Sequence, residues 1–243
     1  MLVKGPFEKA KLYIESHPKL SEKPAIKNQS ISIGPCITIS REAGARADVI
    51  SEKLVAFFQN YYNESTSPWA VFDKNLIEKV IQDHHLPQSL SKLMEEEKYS
   101  AVKSLMIELL GGQPPIFTLV HKTTETILQL AQLGNVIILD RAANIITSKL
   151  NNTFHVRLTA PLELRIEHVR ELFNYNRLEA INFIKHEDHD RKDFVQTYFH
   201  KDISDPLLYH LVINTQLFSD DEAVEIIGNS VIKKFPEMFG IGD

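Results

Sequence analysis

The chain has 243 residues, 43% hydrophobic and 24% charged, with nine glycines and eleven prolines, enough apolar material for one sizeable core and too few flexible residues for a disordered polymer. A formal charge of −5 argues against the basic field that holds a nucleic acid polymer without sequence preference, while leaving room for a local pocket that takes one small nucleotide. Cys36 is the single cysteine, which excludes an intrachain disulfide and a cysteine-built zinc site and fits a reducing compartment.

The first residues, MLVKGPFEKAKLYIESHPKLSEKP, lack the apolar stretch of a signal peptide. No later run approaches the ~18 apolar residues of a membrane span, so a cytoplasmic protein with no membrane partner is expected. Residues 6–17 carry a helical pattern with Phe7, Ala10, Leu12 and Tyr13, followed by a polar connector. Residues 1–34 are therefore read as an N-terminal helical extension and connector, and 35–243 as one domain.

CITIS (Cys36–Ser40) is a short apolar, β-branched run of the kind buried on both faces of a parallel sheet. It enters a turn containing Gly44 and then a helix whose apolar face carries Val49, Ile50, Leu54, Val55, Phe57 and Phe58. Strand, tight turn and helix in this order aim helix N-terminal amides at an anion. WAVFD (Trp69–Asp73) predicts a second strand, followed by a helix stopped at Pro87. Residues 88–133 read as an all-helical insertion, with helix from Ile116 to Leu133.

NVIILD (Asn135–Asp140) and FHVRLTA (Phe154–Ala160) predict two more strands, separated by a short helix with Ala143, Ile145 and Ile146. Residues 162–200 read as helical and dense in charge. DPLLYHLVINT holds a fifth strand, and DDEAVEIIGNSVIKKF predicts a closing helix. Alternating βα units imply an α/β fold, a parallel five-stranded sheet flanked by helices, with its ligand crevice at the carboxyl ends of the strands.

Five blocks in order carry a resemblance: ITISREAGA at Ile37–Ala45, VFDKNLI at Val71–Ile77, GNVIILDRAAN at Gly134–Asn144, VRLTAPLELRIEHV at Val156–Val169, and the tail Glu179–Thr215. Together they resemble the cytidylate kinase-like family, a branch of the P-loop nucleoside monophosphate kinases. The resemblance implies a P-loop kinase-like fold in which 88–133 is an acceptor-side insertion and 162–200 a lid. It further implies ATP and Mg²⁺ as cofactors and a nucleotide or other small phosphorylated molecule as substrate.

A working phosphate loop needs glycines that let amides close on phosphate, a Lys for the β and γ groups, and a hydroxyl for magnesium. Here Gly44 is the only glycine, Ala47 stands where the Lys belongs and Val49 where the hydroxyl belongs. The loop residues Arg41, Gly44, Ala45, Arg46, Ala47 and Asp48 are the candidate cofactor contacts. Arg41 and Arg46 bring bidentate phosphate donors, and Asp48 opposes them.

Asp140, at the end of an apolar strand, is the candidate magnesium carboxylate. By the resemblance, Arg141 grips the acceptor phosphate and Asp73 lies near the acceptor sugar; locally, Asp73 is also a good helix N-cap. The lid pattern, Arg165 followed by Lys185, Asp188 and Arg191, matches the side chains that related kinases close over transferring phosphates, making Arg141, Arg165, Asp188 and Arg191 the candidate catalytic set. The same charges three or four apart on any exposed helix form solvated ion pairs. His84, His85, His186 and His189 do not assemble a four-ligand metal set. Phe57, Phe58, Phe117, Phe154, Phe183, Phe194 and Tyr198 read as core.

The residues thus support a phosphotransferase first. A catalytically inactive nucleotide-binding module is the alternative that Ala47 and Val49 favour. A purely interacting protein would use the extension and the helical insertion as its surfaces.

Overall fold

The computed structural model describes Tyr13, residues 34–61 and 68–73, Asn75, Ile77 and residues 118–241. Five strands, β1 (Cys36–Arg41), β2 (Ala70–Phe72), β3 (Val136–Leu139), β4 (Thr153–Thr159) and β5 (Leu211–Asn214), form one sheet in the order β2-β3-β1-β4-β5, and every pairing is parallel. The predicted α/β fold is therefore the observed one. β1 lies between β3 and β4, so the chain leaves it toward opposite halves of the sheet, and a crevice opens at its carboxyl end.

Alternation along each strand sorts the side chains into two layers. Ile37, Ile39, Ile137, Leu139, Val156 and Leu158 enter one core with helices α1 (Ala47–Gln59) and α6 (Asp220–Lys234). Within α1, Ile50, Leu54 and Phe58 recur every four residues and are fully buried, as a helical stripe requires. A capping box between Ser219 and Glu222 starts α6, and Lys233 and Lys234 in its last turn complement the helix dipole. The two helices approach so closely that a β-carbon on Gly228 would lie 2.3 Å from the Phe57 ring.

Cys36, Val136 and Ile138 face the other way, against α2 (Thr118–Leu133), the short α3 (Ala143–Ile146) and the carboxyl end of α5 (Arg177–Phe199). Burial keeps the Cys36 thiol protonated by pushing its pKa up. Of the predicted N-terminal extension and connector, Tyr13 and Gly34 are described. Tyr13 is buried, donates to the Gly134 carbonyl and meets the Phe72 ring edge-on, with centroids 5.6 Å apart.

Several expectations are refined. The charged segment from Leu162 is two helices, α4 (Leu162–Phe173) and α5, because Asn174 adopts a left-handed conformation that ends the first and Asn176 caps the second. Tyr198 is 43% exposed rather than core, and Phe183 and Phe194 are only partly buried, because α5 has its flanks open to solvent; Phe57, on α1 against Gly228 of α6, is also only partly buried, while Phe58 and Phe154 are core as expected. Asn75 and Ile77 are helical, and the rest of the helix predicted after Asp73 lies outside the described residues, as do Phe117, His84, His85 and residues 88–117. Among the described residues, no helix is long and apolar enough to cross a membrane.

One layer of β1 and β4 is polar. Thr38 and Ser40 sit in register with His155 and Arg157, and each pair is hydrogen-bonded: Thr38 Oγ1 to His155 Nδ1 at 2.8 Å, and Arg157 Nη1 donating to Ser40 Oγ at 3.2 Å. Burial, with lesser contributions from His210 and Lys234, pushes the His155 pKa down to about 3. The unfolded chain would bind this proton near pH 6.5 and the folded chain near 3, so stability falls as pH drops through that window. The His155 contribution lost between pH 7 and pH 5 is roughly 2 kcal/mol. Denaturant midpoints at the two pH values should show it, and His155→Gln, which keeps a group for Thr38, should flatten the difference.

Candidate functional site

The turn after β1 is shaped for close approach. Gly44 has φ +82°, and a β-carbon there would come within 2.6 Å of the Arg165 carbonyl oxygen, so only glycine fits beneath α4. Arg46 is also left-handed, at φ 63°, and α1 begins without a side-chain cap. The α1 amino end therefore faces the crevice with its first-turn amides uncapped by Arg46, the arrangement that favours an anion.

The two loop arginines diverge. Arg46 swings outward to Asp220, Nη2 to Oδ1 at 2.5 Å. Arg41 turns inward, its Nε 3.2 Å from Asp140 Oδ2. Ala45 and Ala47 are fully buried and form the floor of the turn. Asp48 faces helix α4, where His168, 3.7 Å away, holds its carboxyl below the usual range against the opposing effect of burial.

The loop after β3 is strained. Asp140, Arg141 and Ala142 are three consecutive residues with φ between 54° and 62°, in the region L-residues rarely occupy. The conformation brings Asp140 against Arg191 of α5. Its Oδ2 accepts from both Arg41 Nε and Arg191 Nε, at 3.2 and 3.1 Å, while Oδ1 is buried with no hydrogen-bond partner. Arg141 lies beside it with its guanidinium 5.6 Å from the centre of the Phe194 ring.

Asp73 starts the helical turn after β2, its carbonyl accepting from the Ile77 amide at 2.9 Å. With Asn75, Asp140, Arg141, Arg191 and Phe183 it lines a cavity of about 320 Å³. A second cavity of about 310 Å³ lies across the loop, against Gly44, Arg46, Val49, His168 and Thr215. The two cavities have no lining residue in common.

Helices α4 and α5 reach the loop through Arg165 and Asp188. Asp188 Oδ1 accepts from the Ala43 amide at 2.7 Å, and its Oδ2 accepts from Arg165 Nη1 at 2.5 Å. Arg165 also spans to Glu42 at 3.7 Å, and Arg191 binds Glu187 at 2.8 Å. A carboxylate thus sits on a loop amide and an arginine, the two kinds of partner a phosphate group takes. Lys185 is exposed on the same helix.

The fold brings Arg41, Gly44, Asp140, Arg165, Asp188 and Arg191 into one cluster, with Asp73 and Arg141 on its cavity side; Arg46 and Asp48 are turned toward other partners. Glu42, Glu187 and Arg157 belong to the cluster and were passed over in the sequence. Arg157 carried a signal: it is a charge inside a strand whose alternate positions, Phe154, Val156 and Leu158, are apolar.

Magnesium characteristically takes one or two carboxylates and completes its shell with substrate phosphates and water. The orphaned Asp140 Oδ1 fits such a single-carboxylate mode. Among the described residues there is no cluster of three or more His, Cys, Asp or Glu that would hold an ion by protein ligands alone.

A sequence model described as the cytidylate kinase-like family matches residues 36–217. No curated protein matches significantly. A crystal structure of an uncharacterized protein from Eubacterium ventriosum superposes with a TM-score of 0.62 at 19% identity, covering 82% of this chain and 98% of its own. Shikimate kinase from Acinetobacter baumannii, in complex with shikimate, aligns at 14% identity and a TM-score of 0.41, covering 84% of this chain and 96% of its own. With the family match spanning well over half of the sequence and the parallel sheet ordered around β1, the chain belongs to the cytidylate kinase-like family and has the P-loop kinase-like fold.

Proposed function

We propose that the protein is a cytoplasmic nucleotide-binding phosphotransferase that moves the γ-phosphoryl group of ATP to a nucleoside monophosphate or another small phosphorylated acceptor. The observation that carries this reading is the convergence, at the carboxyl end of β1, of the Gly44 turn, the Asp140–Arg141 loop and the lid arginines Arg165 and Arg191.

In this reading the turn amides and Arg165 hold the donor phosphates, and Asp188 gives up the Ala43 amide when they arrive. Arg141 and Asp73 orient the acceptor in the cavity that they line. An acceptor phosphate oxygen forms the new bond to the γ phosphorus while the β–γ bridging bond breaks, its electron pair passing to the β-phosphate of the leaving ADP. Arg41 and Arg191 turn from Asp140 toward the charge that spreads over the transferring group, replacing by guanidinium what Ala47 lacks. Magnesium, held through Asp140 Oδ1, would supply further charge neutralisation. No covalent enzyme intermediate is required, since positioning and electrostatics carry the step.

A second reading, a module that binds nucleotide without turnover, is favoured by the fully buried Ala47 and by the Asp188 carboxylate on the loop. Thermal titration with ATP, CMP and other monophosphates, with and without magnesium, separates the two, because a ligand of the native state raises the midpoint by mass action. Transferase action requires a rise for donor and acceptor together with turnover that Arg141→Ala lowers about 100-fold. A rise without turnover assigns the binding module, and a flat response at millimolar ligand removes both.

A further inference from the structure

Arg157 is 7% exposed on β4, yet among the described residues no carboxylate lies within ion-pair distance of it. Its neighbours are the Ser40 hydroxyl at 3.2 Å and the face of Tyr209, whose ring centre is 5.7 Å from the guanidinium carbon. Arg157 lines a cavity of about 180 Å³ together with Arg41, Arg191 and Lys192. Asp202, across the same cavity, feels the charge but makes no ion pair with it, so a largely buried cation keeps donors turned to the cavity, a setting that favours an anion. The carboxylates around that cavity are engaged elsewhere: Glu42 accepts from the Ala160 amide, Asp188 from Ala43 and Arg165, and Asp202 from both donors of Ser204.

We infer that Arg157, with Arg41 and Lys192, forms a second oxyanion subsite, sized for one phosphate group, on the β4 side of the Arg41–Arg191 pair. Tyr209 fixes the guanidinium plane from below, its own hydroxyl donating to the Ile203 carbonyl at 2.8 Å, and Ser40 fixes one edge. The remaining donors of the fork are left for a tetrahedral anion. The cavity shares Arg41 and Arg191 with the one lined by Asp73 and Arg141, so an anion here lies next to the acceptor space. The subsite does not depend on the transfer reading.

The test is binding of inorganic phosphate to the full chain at constant ionic strength, with chloride as the control, for the native protein, Arg157→Met and Arg157→Lys. Native protein should bind phosphate over chloride, Arg157→Met should weaken this about tenfold or more, and Arg157→Lys should recover part of it. The phosphate-free midpoint of Arg157→Met should hold or rise, because the change removes a largely buried charge that has no ion pair. A fall in that midpoint with phosphate binding unchanged would make Arg157 a purely structural residue and end the proposal. Competition identifies the source: displacement of phosphate by CMP assigns the seat to an acceptor group, displacement by ATP to a donor group, and displacement by neither to free phosphate. Phosphate binding that depends on Arg157, in a protein that responds to no nucleotide, would leave the subsite standing while the transferase reading falls. Nucleotide binding with no effect of Arg157→Met on phosphate would do the reverse.

Discussion

Arg165→Met is expected to lower phosphoryl transfer by about 100-fold or more while leaving the folded state in place. The guanidinium bridges the lid to the loop through the Ala43 carbonyl at 3.4 Å and Asp188 at 2.5 Å, so it stands where donor phosphates would gather charge. Methionine keeps the apolar stem that packs on the loop, and the carboxylates left behind, Asp188 and Glu42, are about 30% exposed and can hydrate. Steady-state turnover and ATP-dependent stabilisation measured together separate lost catalysis from lost binding. Asp188→Asn is the paired measurement. Removing the charge that competes for the Ala43 amide should tighten ATP binding several-fold; weaker binding would make Asp188 a ligand contact instead of a competitor.

Gly44→Ala should lower stability by roughly 2–4 kcal/mol, the sum of a left-handed alanine and the displacement of packed backbone. At φ +82° its β-carbon would be 2.6 Å from the Arg165 carbonyl oxygen and 3.0 Å from the Arg165 α-carbon. Backbone cannot swing aside as a side-chain tip can, so α4 must lift off the loop. Thermal unfolding should show a midpoint roughly 4–16 °C lower, and nucleotide binding should weaken with it. A midpoint within a degree of the native value would mean that α4 is not seated on this turn.

The strands were readable because each is a short β-branched run buried on both faces, a pattern with few competing interpretations. β3 and β4 were expected to within a residue of Val136–Leu139 and Thr153–Thr159. The break between α4 and α5 was missed because Asn174 supplies a left-handed stop without glycine. In the site, Asp140 stood out from its place at a strand end, and Arg141 only through the family resemblance. The destinations of Arg41 and Arg46 were not, since five residues of turn decide whether a long side chain faces the crevice or Asp220. Arg157 escaped notice for a related reason: its partner, Ser40, is distant in sequence and becomes a neighbour only through strand register. The competition by Asp188 is likewise a contact between residues 145 positions apart, beyond any local pattern.

The position of β1 in the sheet also sets an order of events during synthesis. Cys36 pairs with Val136 on one side and Thr153 on the other, so neither edge of the first strand meets its partner until at least ~100 further residues have emerged from the ribosome. Closing such loops costs chain entropy before any pairing repays it, which slows folding of non-local sheets. Until β3 arrives, β1 is an apolar strand with open hydrogen-bonding edges, the species most prone to pair with a neighbouring chain. α1 can form locally and cover one face of β1 with Ile50, Leu54 and Phe58. The nascent protein's resistance to aggregation therefore depends on how soon that helix docks.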